Sequence, residues 1–484
     1  MSEITKLEPK LVWEQFDAIT RVPRPSKKEE KIREFLVEFA KKHHIDYQTD
    51  QTGNVVMRVP ATKGYEDRPM VILQSHMDMV CEKNSGLAFD FEKDPIRTRI
   101  EDGWVKAEGT TLGADDGIGM AAALAAMIDP DLEHGPLEAL FTVDEETGLT
   151  GAFGLGEGML TGKYLVNLDS EDEGEIFIGC AGGVDTLATF RYRAEEAPKD
   201  HVFFRVEVSD LSGGHSGDDI DKGRMNSNKL IARFLWNAMQ RFDLRLSRFD
   251  GGNLRNAIPR EAFAVLSVPG SETSAFETFY KEFAEGLKSE AKFREPKFRI
   301  ALAGAIVASV IDREAQRKLL YALVGLPNGV IEMSMAMPGL VQTSTNLARV
   351  VSDGRTVKLQ CLLRSSVRSE KRALGESIAA LFALAGAQTE LSGEYDGWNP
   401  NMASPILKAM TASYEHLYGR KPAVTAIHAG LECGIIGSNY PGLDMISFGP
   451  TICYPHSPDE KVEIASVGKF YDFLTDTLRN IPEK

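Results

Sequence analysis

The sequence predicts an α/β protein: a domain with a central sheet between helices, interrupted by an inserted α+β domain. Three observations carry this reading. Four apolar runs each end in a polar cluster, namely MVILQSHMD (70–78), EALFTVDEE (138–146), YLVNLDSED (164–172) and LDMISFGPT (443–451). Unbroken Val, Ile, Leu and Phe runs describe strands buried on both faces, as in a sheet covered by helices. Residues 116–128 and 467–478 read as helices beside these strands. Between about 186 and 392 the texture changes to alternating strands and longer helices.

Taken in order, PSKKEEKIREFLVEFAKK opens with Ser26 and Glu29 at capping-box spacing, and Ile32, Phe35, Leu36 and Phe39 form one apolar helical face. The four buried strands follow, and ligands of such sheets gather at the carboxyl ends of the strands. In the changed region, HVFFRVEVS alternates like a half-exposed strand, SNKLIARFLWNAMQRF reads as a helix, EAFAVLSVP as a strand and FETFYKEFAEGLKSEAKF as a helix. The same order recurs from about 298 with REAQRKLLYALVG, TVKLQCLLRSS and ESIAALFALAGA, which suggests two related open-faced units. YDGWNP (395–400) is rich in turn-formers and marks the return. The expected domains are therefore 1–185 with 393–484, and the insertion 186–392.

The 484 residues carry 55 Lys and Arg against 71 Asp and Glu, a formal charge of −16. Hydrophobic residues make up 43% and charged ones 26%, which excludes a disordered or fibrous chain. The acidic excess argues against a nucleic-acid partner, whose phosphates call for clustered cations. The opening MSEITKLEPKLVWEQFD mixes charged and apolar residues unlike a signal peptide, and the Ala-rich run around 119–128 is too short to span a membrane. Five scattered cysteines, none in C-x-x-C, fit reduced thiols. A soluble cytoplasmic protein is the expectation.

The strand ends hold the chemistry. His76 and Asp78 stand at i and i+2, on one face of a strand, where a carboxylate can fix the tautomer of a metal-binding imidazole. Asp115 lies in TTLGADDGIGMAA at a helix start; one acid there is ordinarily a cap, but two exceed what a cap requires. Glu145 and Glu146 follow a buried strand and diverge, so one can bind metal while the other faces a reacting water. Asp169 ends VNLD, and His456 sits in FGPTICYPHSPDE. Each alone fits a blander role. Together they form a nitrogen and oxygen donor set without thiolate, suited to Zn²⁺, and the count closes for two ions sharing one carboxylate.

The strings SHMDMV, GTTLGADDGIGMA, EETG, NLDSEDEGEIFIGCAGG, GGHSG, RNAIPREAFA, IHAGLECG and GPTICYPHSPDE resemble the co-catalytic zinc peptidase family that includes carnosinases, aminoacylases and glutamate carboxypeptidase, and within it the dipeptidase branch. The resemblance implies a dinuclear zinc domain interrupted by a lid and dimerisation domain, with Mn²⁺ or Co²⁺ as possible substitutes. It implies that His76 and Asp169 hold one ion, Glu146 and His456 the other, and that Asp115 bridges them. Glu145 becomes the general base and Asp78 the residue that orients His76. His215 of GGHSG matches a lid histidine that, in dimeric relatives, reaches the neighbouring subunit's site and stabilises the oxyanion. Asn256 and Arg364 are expected to hold the substrate's carboxylate or oxyanion. His428 and Glu432 are expected in the returning catalytic segment, as pocket lining or core support, and Glu171 or Glu173 is a candidate partner for a substrate ammonium. Asp116 and Asp144 depart from the Asn and Thr common in the family; Asp116 is expected to add negative charge beside the bridge.

The expected activity is hydrolysis of unblocked dipeptides, Xaa-His dipeptides among them, by a homodimer with no nucleic-acid or membrane partner. Another hydrolase of the same fold, a tripeptide aminopeptidase or an N-acyl amino acid deacylase, and a non-catalytic binding protein that keeps the fold remain open at this point.

Overall fold

The computed structural model describes residues 2–482. The chain divides into two compact units: Met1–Cys180 with Trp398–Ala426 and Leu431–Lys484, and Ala181–Gly397 with Ile427–Gly430.

The first unit is built on an eight-stranded sheet in the order Asp46–Thr49, Val55–Val59, Leu137–Thr142, Val71–His76, Tyr164–Asn167, Asp444–Ser447, Glu175–Cys180, Ala423–Ile427. The four strands from Leu137–Thr142 to Asp444–Ser447 are parallel neighbours, so their carboxyl ends open on one side. Every residue of Val71–His76, Leu137–Thr142 and Tyr164–Asn167 is buried, as the unbroken apolar runs require. The Ala-rich helix Ala114–Ile128 packs against Val71–His76 and the helix Lys10–Thr20. Small side chains permit that close approach: a Cβ on Gly117 would stand 2.7 Å from Nη2 of Arg24 and 3.0 Å from the Phe16 ring.

The N-terminal capping box does not form. The helix there runs Glu30–His43, with no side-chain cap bond at its start. Ser26 instead donates its hydroxyl to Asp78 at 2.7 Å, and Glu29 accepts from the backbone N–H of Lys27 (2.6 Å) and Asp144 (3.1 Å). Long-range partners, Asp78 for the Ser26 hydroxyl and the Asp144 N–H for Glu29, outweighed the local motif.

The second unit has one nine-stranded antiparallel sheet, not two separate units. The recurrence seen in sequence is nonetheless real. Outward from the contact between Arg245–Gly251 and Val341–Ser352, one half continues through Ala262–Pro269, His201–Ser209 and Arg299–Gly304. The other continues through Thr356–Ser365, Gly182–Arg191 and Gln388–Tyr395. In chain order each half reads second, third, first, fourth, so the halves are related by the same connectivity and the first is inserted within the second. Gly329–Met333 adds a side strand to Val341–Ser352. Helices Ser227–Met239, Thr273–Ala291, Arg313–Gly325 and Arg368–Leu384 supply Phe234, Phe276, Leu320 and Phe382 to a core shared with Val206, Leu266, Leu347 and Leu359 of the sheet.

Candidate metal centre and its surroundings

The parallel strands of the first unit deliver the predicted residues to one place. His76 is the last residue of its strand, Asp169 lies two residues past Asn167, and the Glu145–Gly148 turn follows Leu137–Thr142. Asp115 stands in the first turn of Ala114–Ile128 with non-helical backbone angles, after a cap at Gly113 whose φ of 70° suits glycine. The Asp115–Asp116 peptide is cis.

The geometry is symmetric about Asp115. Its Oδ1 is 3.0 Å from Nε2 of His76 and its Oδ2 is 3.2 Å from Nε2 of His456. Each imidazole meets one more carboxylate through the same nitrogen: Asp169 at 3.3 Å for His76 and Glu146 at 3.0 Å for His456. His76, Asp115 and Asp169 form one compact donor group, Asp115, Glu146 and His456 a second, and Glu145 lies with His76 and Glu146 in a third.

Electrostatics point the same way. Burial works to lower the His76 pKa, but Asp169, Asp115 and Asp78 outweigh it and raise it well above the ordinary value. The bonds to Asp115 and Glu146 push His456 up to about 11. Burial opposes ionisation of Asp115, yet the two imidazoles facing it hold its carboxyl far below the usual range. Each imidazole position is thus one where the carboxylates demand a cation. Donor chemistry agrees: nitrogen and oxygen ligands that run from buried His76 to exposed His456, no thiolate, and a buried Glu146 Oε1 with no partner among the described residues.

Several residues hold these donors still. Asp78 lies 3.4 Å from Nδ1 of His76, an ion-pair distance without good hydrogen-bond alignment. It also accepts from the backbone N–H of Glu145 (3.0 Å) and Glu146 (3.3 Å), so it positions the Glu pair as well as the histidine. Burial resists its ionisation, but His76, Ser26 and the Glu145 N–H bring its pKa down to about 2. Asp144 accepts the hydroxyls of Thr147 and Thr150 and closes the turn that carries the pair. For Glu145, burial and neighbouring Asp169, Glu432 and Glu146 drive the pKa well up despite His76.

Two residues without an assigned role in the sequence reading are central here. Buried Glu460 accepts four backbone N–H bonds, from Leu112, Gly113, Ala114 and Asp115, at 2.7–3.3 Å. It ties the Asp115 loop to the His456 loop. Buried Arg24 donates to the carbonyls of Met77, Asp78 and Gly113, tying the His76 strand end to the same loop. Glu460 ends the quoted HSPDE string; Arg24, in VPRPS, carried no signal.

Asp116 caps the helix start: its Oδ1 accepts from the Gly119 N–H at 3.1 Å. Burial, Asp169 and Asp115 push its pKa well up. Glu173 is engaged by the Tyr414 hydroxyl (2.7 Å) and Lys469 (3.3 Å), which removes it as a free ammonium partner. Buried Glu432 accepts from Gln74 (2.6 Å) and Thr142 (2.7 Å), on neighbouring strands, and braces the floor under the cluster.

The remaining predicted residues lie in the second unit, His428 included, since Ile427–Gly430 clusters there and not with the first unit. Arg364, near the end of Thr356–Ser365, is only 4% exposed. It donates to Tyr395 Oη at 3.1 Å, to His215 Nε2 at 3.2 Å and, weakly, to Ser216 Oγ at 3.5 Å, with no carboxylate bonded to it among the described residues. Asp185, on the adjacent strand, is taken by Arg255 at 2.9 Å. His428 shares a 2.7 Å bond with Ser344 Oγ, and burial together with the Arg364 charge lowers its pKa to about 3. Asn256 is exposed beside His215: its carbonyl accepts from Ser216 N–H at 2.8 Å, and the next residue, Ala257, pairs with His215.

Among the described residues no helix is long and apolar enough to cross a membrane. Comparison with known proteins gives consistent results. The chain is 43% identical, over the whole of both chains, to a protein of Escherichia coli strain K12 named cytosol non-specific dipeptidase. Its structure matches that of aminoacylhistidine dipeptidase from Vibrio alginolyticus with a TM-score of 0.94 and 45% identity, covering 100% of this chain and 99% of that one. Aminopeptidase PepT from Bacillus cereus shares the fold at a TM-score of 0.58 and 17% identity, over 98% and 99% of the two chains. The profile of peptidase family M20/M25/M40 matches residues 72–480, which span the donor groups and both units. The chain belongs to peptidase family M20/M25/M40.

Proposed function

We propose that the chain hydrolyses unblocked dipeptides, Xaa-His dipeptides among them, at a centre of two divalent metal ions. One observation carries this reading: the two oxygens of Asp115 each face one imidazole, and each imidazole faces one further carboxylate. His76 and Asp169 would hold one ion, Glu146 and His456 the other, and Asp115 both. Zinc suits the donor set best, with manganese or cobalt as substitutes. The names of the Escherichia coli and Vibrio relatives support the dipeptide substrate and a cytosolic location.

Bound metal would supply an acidified water and polarise the peptide carbonyl. The protein does the rest. Glu145 takes the proton of the attacking water and returns it to the leaving amine, a task suited to a carboxylate whose pKa is raised by burial. Asp78 fixes the backbone of Glu145 and the ring of His76. Arg364, buried and with no carboxylate hydrogen-bonded to it among the described residues, offers a planar fork to the substrate's terminal carboxylate. His215 stabilises the developing oxyanion, with Asn256 beside it. His428 supports Arg364 as a neutral neighbour, and Glu432 supports the strand ends. The insertion expected at 186–392, which lies within the second unit, would serve as lid and dimerisation domain.

Glu145→Gln tests the reading. Metal-loaded wild type cleaves alanyl-histidine, while the variant binds as much metal and loses roughly 10²–10⁴-fold in kcat. Near-normal turnover by the variant would remove Glu145 from the chemistry. A wild type that prefers tripeptides or N-acyl amino acids would shift the substrate class, and one that binds metal without cleaving any of these would favour a binding protein. Mixing inactive His215 and Glu145 variants tells whether His215 serves its own or its partner's site.

A further inference from the structure

Asp218, three residues after His215, was given no role above, and its geometry is specific. Its Oδ2 lies 2.9 Å from Nδ1 of His215, while Nη2 of Arg364 lies 3.2 Å from Nε2 of the same ring. A guanidinium can only donate, so Nε2 must accept and carries no proton in this arrangement. The ring proton is therefore on Nδ1 and donates to Asp218. The Asp218 backbone N–H also points at Nδ1, at 3.3 Å, and would take that nitrogen as acceptor only if the ring proton sat on Nε2, where it would face the guanidinium. In this state His215 cannot donate to an oxyanion, since the nitrogen that would do so is occupied by Arg364.

Among the described residues Arg364 donates hydrogen bonds to three neutral acceptors, Ser216, Tyr395 and His215. A substrate carboxylate is a stronger partner than an imidazole nitrogen, because charge-assisted bidentate bonds exceed neutral ones. We infer that Asp218 is a positioning residue that holds the His215 proton on Nδ1, and that a substrate carboxylate, by drawing Arg364 away from Nε2, frees that nitrogen to take a proton from solvent and become an oxyanion donor. The free carboxylate then acts as a trigger as well as a handle, and the preference for unblocked dipeptides is expressed in kcat. The inference rests on the dipeptidase reading for its catalytic part, and on the geometry of the second unit alone for the tautomer.

Both parts can be measured. The Asp218 side chain is 43% exposed, so its pair with His215 adds little to stability and Asp218→Asn should fold. In metal-loaded enzyme, Asp218→Asn lowers kcat for alanyl-histidine about tenfold with KM within about twofold, a modest loss for a weakened oxyanion donor. Asp218→Glu recovers most of it. The C-terminal amide of the same dipeptide loses at least about tenfold in wild-type kcat, and in Arg364→Gln the two substrates differ by less than about twofold. Nitrogen-15 spectra of histidine-labelled protein, assigned with His215→Gln, show His215 protonated on Nδ1 in wild type, still on Nδ1 in Arg364→Gln where Asp218 alone holds it, and shifted toward Nε2 only when Asp218→Asn is added to Arg364→Gln. The inference is overturned if wild-type His215 carries its proton on Nε2, if Asp218→Asn keeps wild-type kcat, or if the amide penalty lies in KM alone. Absence of all dipeptide turnover, with the Nδ1 tautomer observed, would count against the dipeptidase reading and leave the assignment of Asp218 standing.

Discussion

Two pairs of histidines sit in opposite electrostatic surroundings. His76 and His456 each face two carboxylates, which drive positive charge onto the ring positions. His215 lies between a guanidinium at Nε2 and one carboxylate, Asp218, at Nδ1, and His428 is kept neutral by burial and by the same Arg364. The donor groups of the first unit suit cations, and the proposed role of Arg364 in the second is to receive an anion. A peptide hydrolase needs both, because its substrate ends in a carboxylate and its reaction develops an oxyanion. The difference shows that residue type alone does not assign a histidine: the charge of its neighbours does.

The largest way to break this contrast is Asp115→Asn. Removing the one charge that both rings share should strip bound metal, measured by elemental analysis of the isolated protein, and abolish hydrolysis with it. Full metal content in that variant would refute the bridging role. Glu460→Gln should act less severely, since it keeps every ligand but turns one acceptor into a donor facing backbone N–H groups. Metal affinity, read by competition with a chelator, should fall about 10–100-fold, the usual cost of disturbing groups that orient metal ligands. An unchanged affinity would reduce Glu460 to packing.

The smallest effect belongs to the anion side. His428 titrates near 6.5 when unfolded and at about 3 when folded. Its contribution to stability is complete above about pH 6.5 and is lost as pH falls toward 3, because the unfolded chain takes up a proton that the folded chain refuses. Between pH 7.5 and 5 this amounts to about 2 kcal/mol. His428→Gln should remove that part of the pH dependence in urea titrations; an identical slope in both proteins would deny the neutral state.

Much of this was legible in the sequence because its signals are local or strongly patterned. Unbroken apolar runs announced the parallel strands, and the acids and histidines just past them announced the donors. Glu460 and Arg24 were not legible, because their roles are to accept from or donate to backbone groups, which leave no side-chain signature in a distant segment. The cap bond of Asp116 to the Gly119 N–H was not legible either, because it depends on the turn geometry at the helix start. Ser26 and Glu29 matched a capping motif but serve residues far along the chain. The recurrence in the second unit was visible as repeated order, while its fusion into one sheet depends on pairing between segments that no local pattern records.

That nested sheet has a consequence for how the chain finds its structure. In the inserted half, adjacent strands are joined by the contact of His201 with Ser267, 66 residues apart; in the enclosing half, Asp185 meets Gln360 across 175. Closing the longer loop costs about 1 kcal/mol more chain entropy if the intervening residues are still a coil. Once the inserted half has condensed, its ends are fixed and the span left to close is much shorter. The enclosing half is thus the later and more dependent of the two, and it carries Arg364.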